Sequence, residues 1–257
     1  MSFSPQRRAL LSYLLAAPAL TLPSLTLGQD AARGEAVRVS LAGQALMKYP
    51  VCQAPYEGLQ AVIAELRRGD VIFTNLEVPI QTSASGAPTR DTEFFHAGSE
   101  ITLECLHEMG FNLLALSNNH AWDLSTPGIV ATRDAVAQSG FAHAGTGRNL
   151  QEAAAAGYLD KPVKTALVSM AMGSIREGAA ATESRAGVNE VPLGPDLKPR
   201  AEDLQRNLAA IRVAKANAEI VIAYLHNHEW GDDFAITKPW AREFARQCAD
   251  AGADIFI

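Results

Sequence analysis

Two short polar clusters carry most of the chemistry open to this chain. The first is Ser117-Asn118-Asn119-His120, continued by Ala121-Trp122-Asp123. Asn119 offers an amide oxygen, a hard ligand for a divalent cation, and His120 sets an imidazole beside it. Asp123 is spaced to fix the tautomer and orientation of that ring. A plainer reading has Asn118 and Asn119 only shaping a turn, since Asn tolerates left-handed backbone. The second cluster is His226-Asn227-His228-Glu229. Alternate residues of an extended segment point the same way, so His226 and His228 can share a face. Two imidazoles and a carboxylate in so short a stretch favour a metal site over a set of structural histidines. Imidazole suits Zn, Mn, Fe or Ni, whereas carboxylate and amide oxygens suit Mg and Mn.

Both clusters need elements to carry them. Leu113–Leu116 and Ile220–Leu225 are apolar runs that read as buried strands of a parallel sheet. Residues 125–139, with Ile129, Val130, Ala135 and Val136 inward, read as the helix after the first run. The clusters then sit at the carboxyl edge of an α/β sheet, where ligands usually bind. Residues 37–42 read as a first strand, with Gly43 as its exit turn and Gln44 following. Residues 56–66 read as a helix with Leu59, Val62, Ile63 and Leu66 on one face. Val71–Thr74 is a second strand that delivers Asn75-Leu76-Glu77 to the same edge. Taken alone, Glu77 reads as a surface carboxylate.

Residues 81–98, rich in Ser, Thr, Gly and Pro, read as a long loop at a pocket rim. A helix is expected at 102–109, with His107 on its wetter side, and a strand at 141–144. Gly145-Thr146-Gly147 reads as a turn, too short a glycine signal for a nucleotide loop. A helix at 151–156 and an alternating strand at 163–170 follow. Residues 173–200 show no periodicity and read as an insertion. Helices at 201–216 and 241–251 and a final strand from 253 complete the pattern.

Composition sets the class. The 257 residues are 48% hydrophobic and 7% aromatic, which supports one sizeable core and excludes a disordered chain. A net charge of −6, without a basic patch, argues against nucleic acid as a partner. Cys52, Cys105 and Cys248 lie far apart, so a cysteine zinc site is excluded and at most one disulfide can form. The default for each is a small buried apolar residue.

Arg7-Arg8 precedes an uncharged apolar run, Ala9–Leu27, and then the small or polar Gly28, Gln29, Ala31 and Ala32. That is the layout of a bacterial signal peptide, resembling a twin-arginine signal, over residues 1–32. It places the protein in the periplasm or outside the cell. The main domain is expected at 37–257, and its last strand reads as continuing past Ile257.

In this order, several stretches together resemble the capsule-synthesis CapA family, or poly-γ-glutamate synthesis proteins, of the metallo-dependent phosphatase (calcineurin-like) superfamily. They are Leu41-Ala42-Gly43, Asn75-Leu76-Glu77, Leu116 to Asp123, Gly145 to Asn149, Leu225 to Glu229 and Asp250 to Ile255. The resemblance implies a four-layer α-β-β-α sandwich with a metal site at the strand ends. It makes Glu77, Asn119 and His226 metal ligands, and His120, oriented by Asp123, the acid near the leaving group. Gln44 would stand where the superfamily ligates its first cation, and His228 and Glu229 would lie next to His226.

The implied cofactor is a divalent metal ion, Mn or Zn before Mg. The implied substrate is a phosphoester or an anionic polymer, with membrane-bound synthesis machinery as a partner. The implied activity is metal-dependent hydrolysis; the alternative is a non-catalytic component that binds an exported polymer. Two departures bear on this. The superfamily has Gly-Asp at the first strand end, where this chain has Gly43-Gln44, and its later Gly-His-x-x-His segment does not occur before Ile257.

Overall fold

Apolar runs between polar turns set the element order. The computed structural model describes residues 36–257, except Pro55, Thr92 and 230–234. The expected leader at 1–32 lies outside the described residues. Residues 37–257 form one compact unit. In chain order it contains β1 (Val39–Ala45), α1 (Leu59–Leu66), β2 (Val71–Leu76), α2 (Glu100–Met109), β3 (Leu113–Ala115) and α3 (Ser125–Gln138). Next come β4 (Ala142–Ala144), β5 (Thr146–Gly147), α4 (Leu150–Ala154), β6 (Gly157–Leu159), β7 (Thr165–Met172) and β8 (Gly187–Val188). The last are α5 (Ala201–Asn217), β9 (Ile220–Asn227), α6 (Pro239–Asp250) and β10 (Ile255–Phe256).

Two four-stranded sheets face each other, ordered β1-β2-β3-β4 and β10-β9-β7-β6. All pairings in the first are parallel; in the second only β6 runs antiparallel, to β7. Phe73, Leu113, Leu167, Ile222 and Tyr224 fill the space between the sheets. Leu103 and Leu106 of α2 and Val136 of α3 cover the outer face of the first sheet against Ile72 and Leu114. Leu208 and Ile211 of α5 and Phe244 of α6 cover the second against Val168 and Val221. Each large side chain removed from water in these layers contributes about 1.5–3 kcal/mol. The result is the expected four-layer α-β-β-α sandwich.

Several local expectations change. β1 does not turn out at Gly43; it runs to Ala45 through a register shift between Leu41 and Gln44. Gly43 sits inside this bulge, where its carbonyl accepts from Thr74 Oγ1 at 2.5 Å. In α1 only Ile63 is buried, and Val62 faces solvent. β7 does not alternate: all eight residues are buried, because the other sheet covers one face and α5 the other.

The region 173–200 is not a bare insertion. Its β8 pairs with β5, which makes Thr146–Gly147 a short strand rather than only a turn. Asn189, fully buried, donates to Asn207 Oδ1 and to Ser169 O. Cys52 and Cys105 are not separate buried residues but a disulfide, which ties the loop after β1 to α2. Cys248 is free and buried, as expected, and burial pushes its thiol up to about 12.

Candidate metal centre

β2, β3 and β9 end at the same edge, and Glu77 just after β2, Asn119 in the turn after β3 and His226 at the end of β9 converge there. His226 Nε2 lies 2.9 Å from Asn119 Oδ1 and 3.8 Å from Glu77 Oε1. All three are buried: Glu77 is 3% exposed, and Asn119 and His226 are each 7% exposed. The surface reading of Glu77 is therefore wrong. β2 continues two residues further than its apolar run, and the adjoining strand ends close over its tip.

Neighbouring amides lock the arrangement. Asn75 Nδ2 donates to Glu77 Oε2 at 2.9 Å and lies 3.4 Å from His226 Nδ1. Asn118 Nδ2 donates to Asn75 Oδ1 and to Leu76 O, and its own Oδ1 accepts from the His120 backbone N–H. Asn118 is thus the bracket that holds the turn after β3 against the end of β2.

Burial governs the charges here. It pushes Glu77 up to about 7, against the opposing pull of His120 and of the Asn75 hydrogen bond. Burial also pushes His226 down to about 4, with the positive charges of His228 and His120 acting in the same direction. The Glu77–His226 contact is therefore no ion pair at neutral pH. His226 is a neutral imidazole there, with one N–H and one lone pair. Tyr224 Oη lies 3.3 Å from its Nδ1, a partner that can hold either tautomer. Burial and the nearby Glu77 raise Tyr224 above its ordinary value, so its hydroxyl keeps its proton.

This donor set suits a divalent cation. Ligand atoms about 2.1 Å from a common ion lie about 3.0–3.4 Å apart, in tetrahedral or octahedral geometry. The observed 2.9 and 3.8 Å bracket that range. One carboxylate, one amide oxygen and one neutral imidazole match Mn or Zn, and Mg less well. Three protein ligands would leave positions open for water and substrate. Among the described residues no cluster of three or more His, Cys, Asp or Glu forms a metal site. The set of Glu77, Asn119 and His226 therefore depends on an amide oxygen as its third donor.

His120 adjoins this set. Its Nδ1 lies 2.8 Å from Asp123 Oδ2, and Asp123 is completely buried. The same Oδ2 accepts the His96 backbone N–H at 3.0 Å, while Asp123 Oδ1 accepts Arg90 Nε at 2.5 Å. Arg90 Nη2 also donates to the Asn119 main-chain carbonyl. The His96 ring packs edge-on against His120, centroids 4.3 Å apart. Burial and the positive charges around it push His96 down from its ordinary value.

Arg90 and His96 were missed as individual residues, although the 81–98 loop was expected at a rim. The available signal was an Arg and a His in an otherwise small and polar loop. Gln44 is exposed and pairs in register with Asn75. His228 is half-buried, its ring centroid 5.9 Å from that of His226, and its backbone N–H donates to Met172 O. The Glu229 backbone N–H donates to Asn227 Oδ1. Two wider clefts, about 580 and 620 Å³, lie along α4–α5 and α5–α6 and include none of these side chains.

A four-layer sandwich with Asp–His and Glu–Asn–His groups at its strand ends defines a metallophosphatase-like α/β protein. The model of the family described as bacterial capsule synthesis protein PGA_cap matches residues 30–257, and the chain belongs to that family. It is 26% identical over 196 residues to the capsule biosynthesis protein CapA of Bacillus anthracis, covering 75% of this chain and 45% of that protein. It is 26% identical over 193 residues to the PGA biosynthesis protein CapA of Bacillus subtilis (strain 168), covering 74% of this chain and 47% of the relative. An uncharacterized protein of Sinorhizobium fredii, y4sH, is 25% identical over 271 residues, covering 84% of this chain and 59% of its own length. The chain thus spans about half the length of the curated relatives it matches.

Proposed function

We propose that this protein is an exported, metal-dependent hydrolase of capsule or poly-γ-glutamate biosynthesis, cleaving a phosphoester or an amide of an anionic polymer. The observation that carries this reading is the meeting of Glu77, Asn119 and His226 from three strand ends beside the His120–Asp123 pair. The cation's contribution when bound is to polarise the scissile group and activate water. Glu77, Asn119 and His226 would hold it. Asp123 orients the His120 ring through Nδ1, which leaves Nε2 to carry a proton towards a leaving group. The turn after β3 supplies both a ligand and the acid, so their separation is set by one short stretch of backbone.

Export is supported by two independent features. One is the twin-arginine-like leader in the sequence. The other is the Cys52–Cys105 disulfide, a bond that persists in oxidising compartments and is rare in the cytosol. Among the described residues no helix is long and apolar enough to cross a membrane. Membrane-bound synthesis machinery remains the proposed partner, on the strength of the family alone.

One feature favours a second reading, a non-catalytic component that binds the polymer. Gln44 is neutral where the superfamily carries an acid, so the first cation of such a site would lack a charged ligand there. The two readings separate in one experiment. The full-length protein is loaded with Mn²⁺ and assayed on aryl phosphodiesters and on poly-γ-glutamate, beside a His120→Ala variant. Metal-dependent turnover that falls on the order of 100-fold or more in the variant supports the hydrolase, in line with typical general-acid contributions. Polymer binding without turnover in either protein supports the second reading.

A further inference from the structure

We propose that Arg90 is a positioning residue that locks the metal-ligand turn and the His120–Asp123 pair into one unit. The inference rests on the hydrolase reading of this site. It assigns part of the site's geometry to the surface strap 81–98, not to the core alone.

The argument starts from what Arg90 holds. Its Nε donates to Asp123 Oδ1 and its Nη2 to the Asn119 carbonyl. These acceptors lie at the two ends of the turn Asn119–Asp123. Between them is His120, and the Asn119 side chain faces His226. A planar guanidinium can span two acceptors in fixed directions, whereas a lysine ammonium is a point charge. Asp123 has no solvent of its own. Without Arg90 it would be a buried carboxylate lacking its guanidinium partner, with only the His96 backbone N–H left to hold the oxygen that aims His120. Nε and Nη2 are both engaged by the chain.

The strap is itself secured to the same turn. Gly86 N–H donates to Leu124 O, Thr89 N–H to Asp123 O, and Thr89 Oγ1 to Trp122 O. Arg176, from the segment after β7, donates to Thr89 O and lies over the Trp122 ring. Arg90 is therefore presented from a fixed backbone. A loose surface arginine would lose as much in ordering as it gained in contact.

The test uses the full-length protein and its Arg90→Gln and Arg90→Lys variants, each shown to be folded by near-ultraviolet circular dichroism. The first readout is the His120 ring proton on Nδ1, followed by ¹⁵N-histidine NMR and assigned by its disappearance in His120→Gln. The second is Mn²⁺ affinity by calorimetry. The third is hydrolysis of aryl phosphodiesters with leaving groups of graded basicity. Arg90→Gln should lose the protected ring proton and bind Mn²⁺ about 10-fold more weakly. Turnover should fall about 10–100-fold, the usual cost of losing a group that orients a metal site. The loss should be steepest for the most basic leaving groups and should appear in kcat more than in KM.

Arg90→Lys should recover only part of each effect, and added guanidinium should restore the Arg90→Gln ring proton. A wild-type ring proton and wild-type Mn²⁺ affinity in Arg90→Gln would overturn the proposal. So would losses that guanidinium leaves untouched and that simply track a lower melting temperature. If no ester is hydrolysed by any of the proteins while the ring proton and Mn²⁺ affinity move as stated, the hydrolase reading fails and the positioning role stands.

Discussion

Replacing Glu77 by Gln should stabilise the metal-stripped protein at neutral pH while impairing its metal binding. Burial raises Glu77 from 4.5 to about 7, so the folded chain prefers it protonated. Between those values the folded state holds more protons than the unfolded state, and stability falls as pH rises. Above the folded value the whole deficit is present. At about 1.4 kcal/mol per unit, the shift corresponds to at most about 3.5 kcal/mol.

His226 contributes a slope of the opposite sign. Its pKa is lowered from 6.5 to about 4, so its cost grows as pH falls through that window. Over the shared range the two slopes largely cancel, and a single stability curve would hide both. The difference between wild type and Glu77→Gln isolates Glu77, because His226 is present in both proteins. Gln is close to isosteric, uncharged at every pH, and can still accept from Asn75 Nδ2. Urea unfolding in excess chelator should therefore give curves that nearly coincide near pH 4.5. They should separate by up to about 3.5 kcal/mol by pH 8, with the variant the more stable. Saturating Mn²⁺ should reverse the order, because the cation favours the ionised carboxylate that only wild type can supply. Parallel curves in chelator, or a variant less stable at pH 8, would refute the account of Glu77 as a desolvated carboxylate.

Further outcomes are expected. His226→Ala should weaken Mn²⁺ binding 10–100-fold or more, by comparison with the loss of a partner outside the ligand set, and unchanged metal content would exclude His226 as a ligand. Cys52→Ser with Cys105→Ser should lower unfolding stability by about 4 kcal/mol, as the bond closes a loop with a sequence separation of 53. A loss below about 1 kcal/mol would show that strain or residual structure offsets the constraint. The natural protein recovered from its host should lack roughly its first 28–32 residues, the extent of a leader of this type. A mass that retains Met1 or Ser2 would refute export by that leader.

The layered fold was legible because its signals are local. Apolar runs such as Ile220–Leu225 and helix faces such as Leu204, Leu208 and Ile211 can be read within one window. The polar clusters after β3 and at the end of β9 were legible for the same reason, since Asn119, His120 and Asp123 are neighbours in sequence, as are His226 and His228. Glu77 was not, because a lone acid after a strand has no sequence mark that distinguishes burial from exposure. Its environment comes from Asn75 and from His226, the latter far along the chain. Arg90 and His96 were harder still: each reaches Asp123 across about thirty residues, through a loop without periodicity. The β1 bulge and the full burial of β7 depend on what packs against a strand, and hydropathy alone does not state that. The Cys52–Cys105 bond needed the fold to bring its two ends within 5.3 Å, Cα to Cα.

That bond has a topological consequence. β2, Glu77 and the whole strap, including Arg90 and His96, lie between Cys52 and Cys105 and so belong to a closed covalent ring. A protease that cuts once within the strap opens the ring but releases nothing: the two fragments stay joined through sulfur. Such a nicked protein runs as one molecule until it is reduced, and only then as two. Outside the cell, where the proposed function would place the protein among proteases, the segment that carries Glu77 and Arg90 is thereby moored to the domain at both ends.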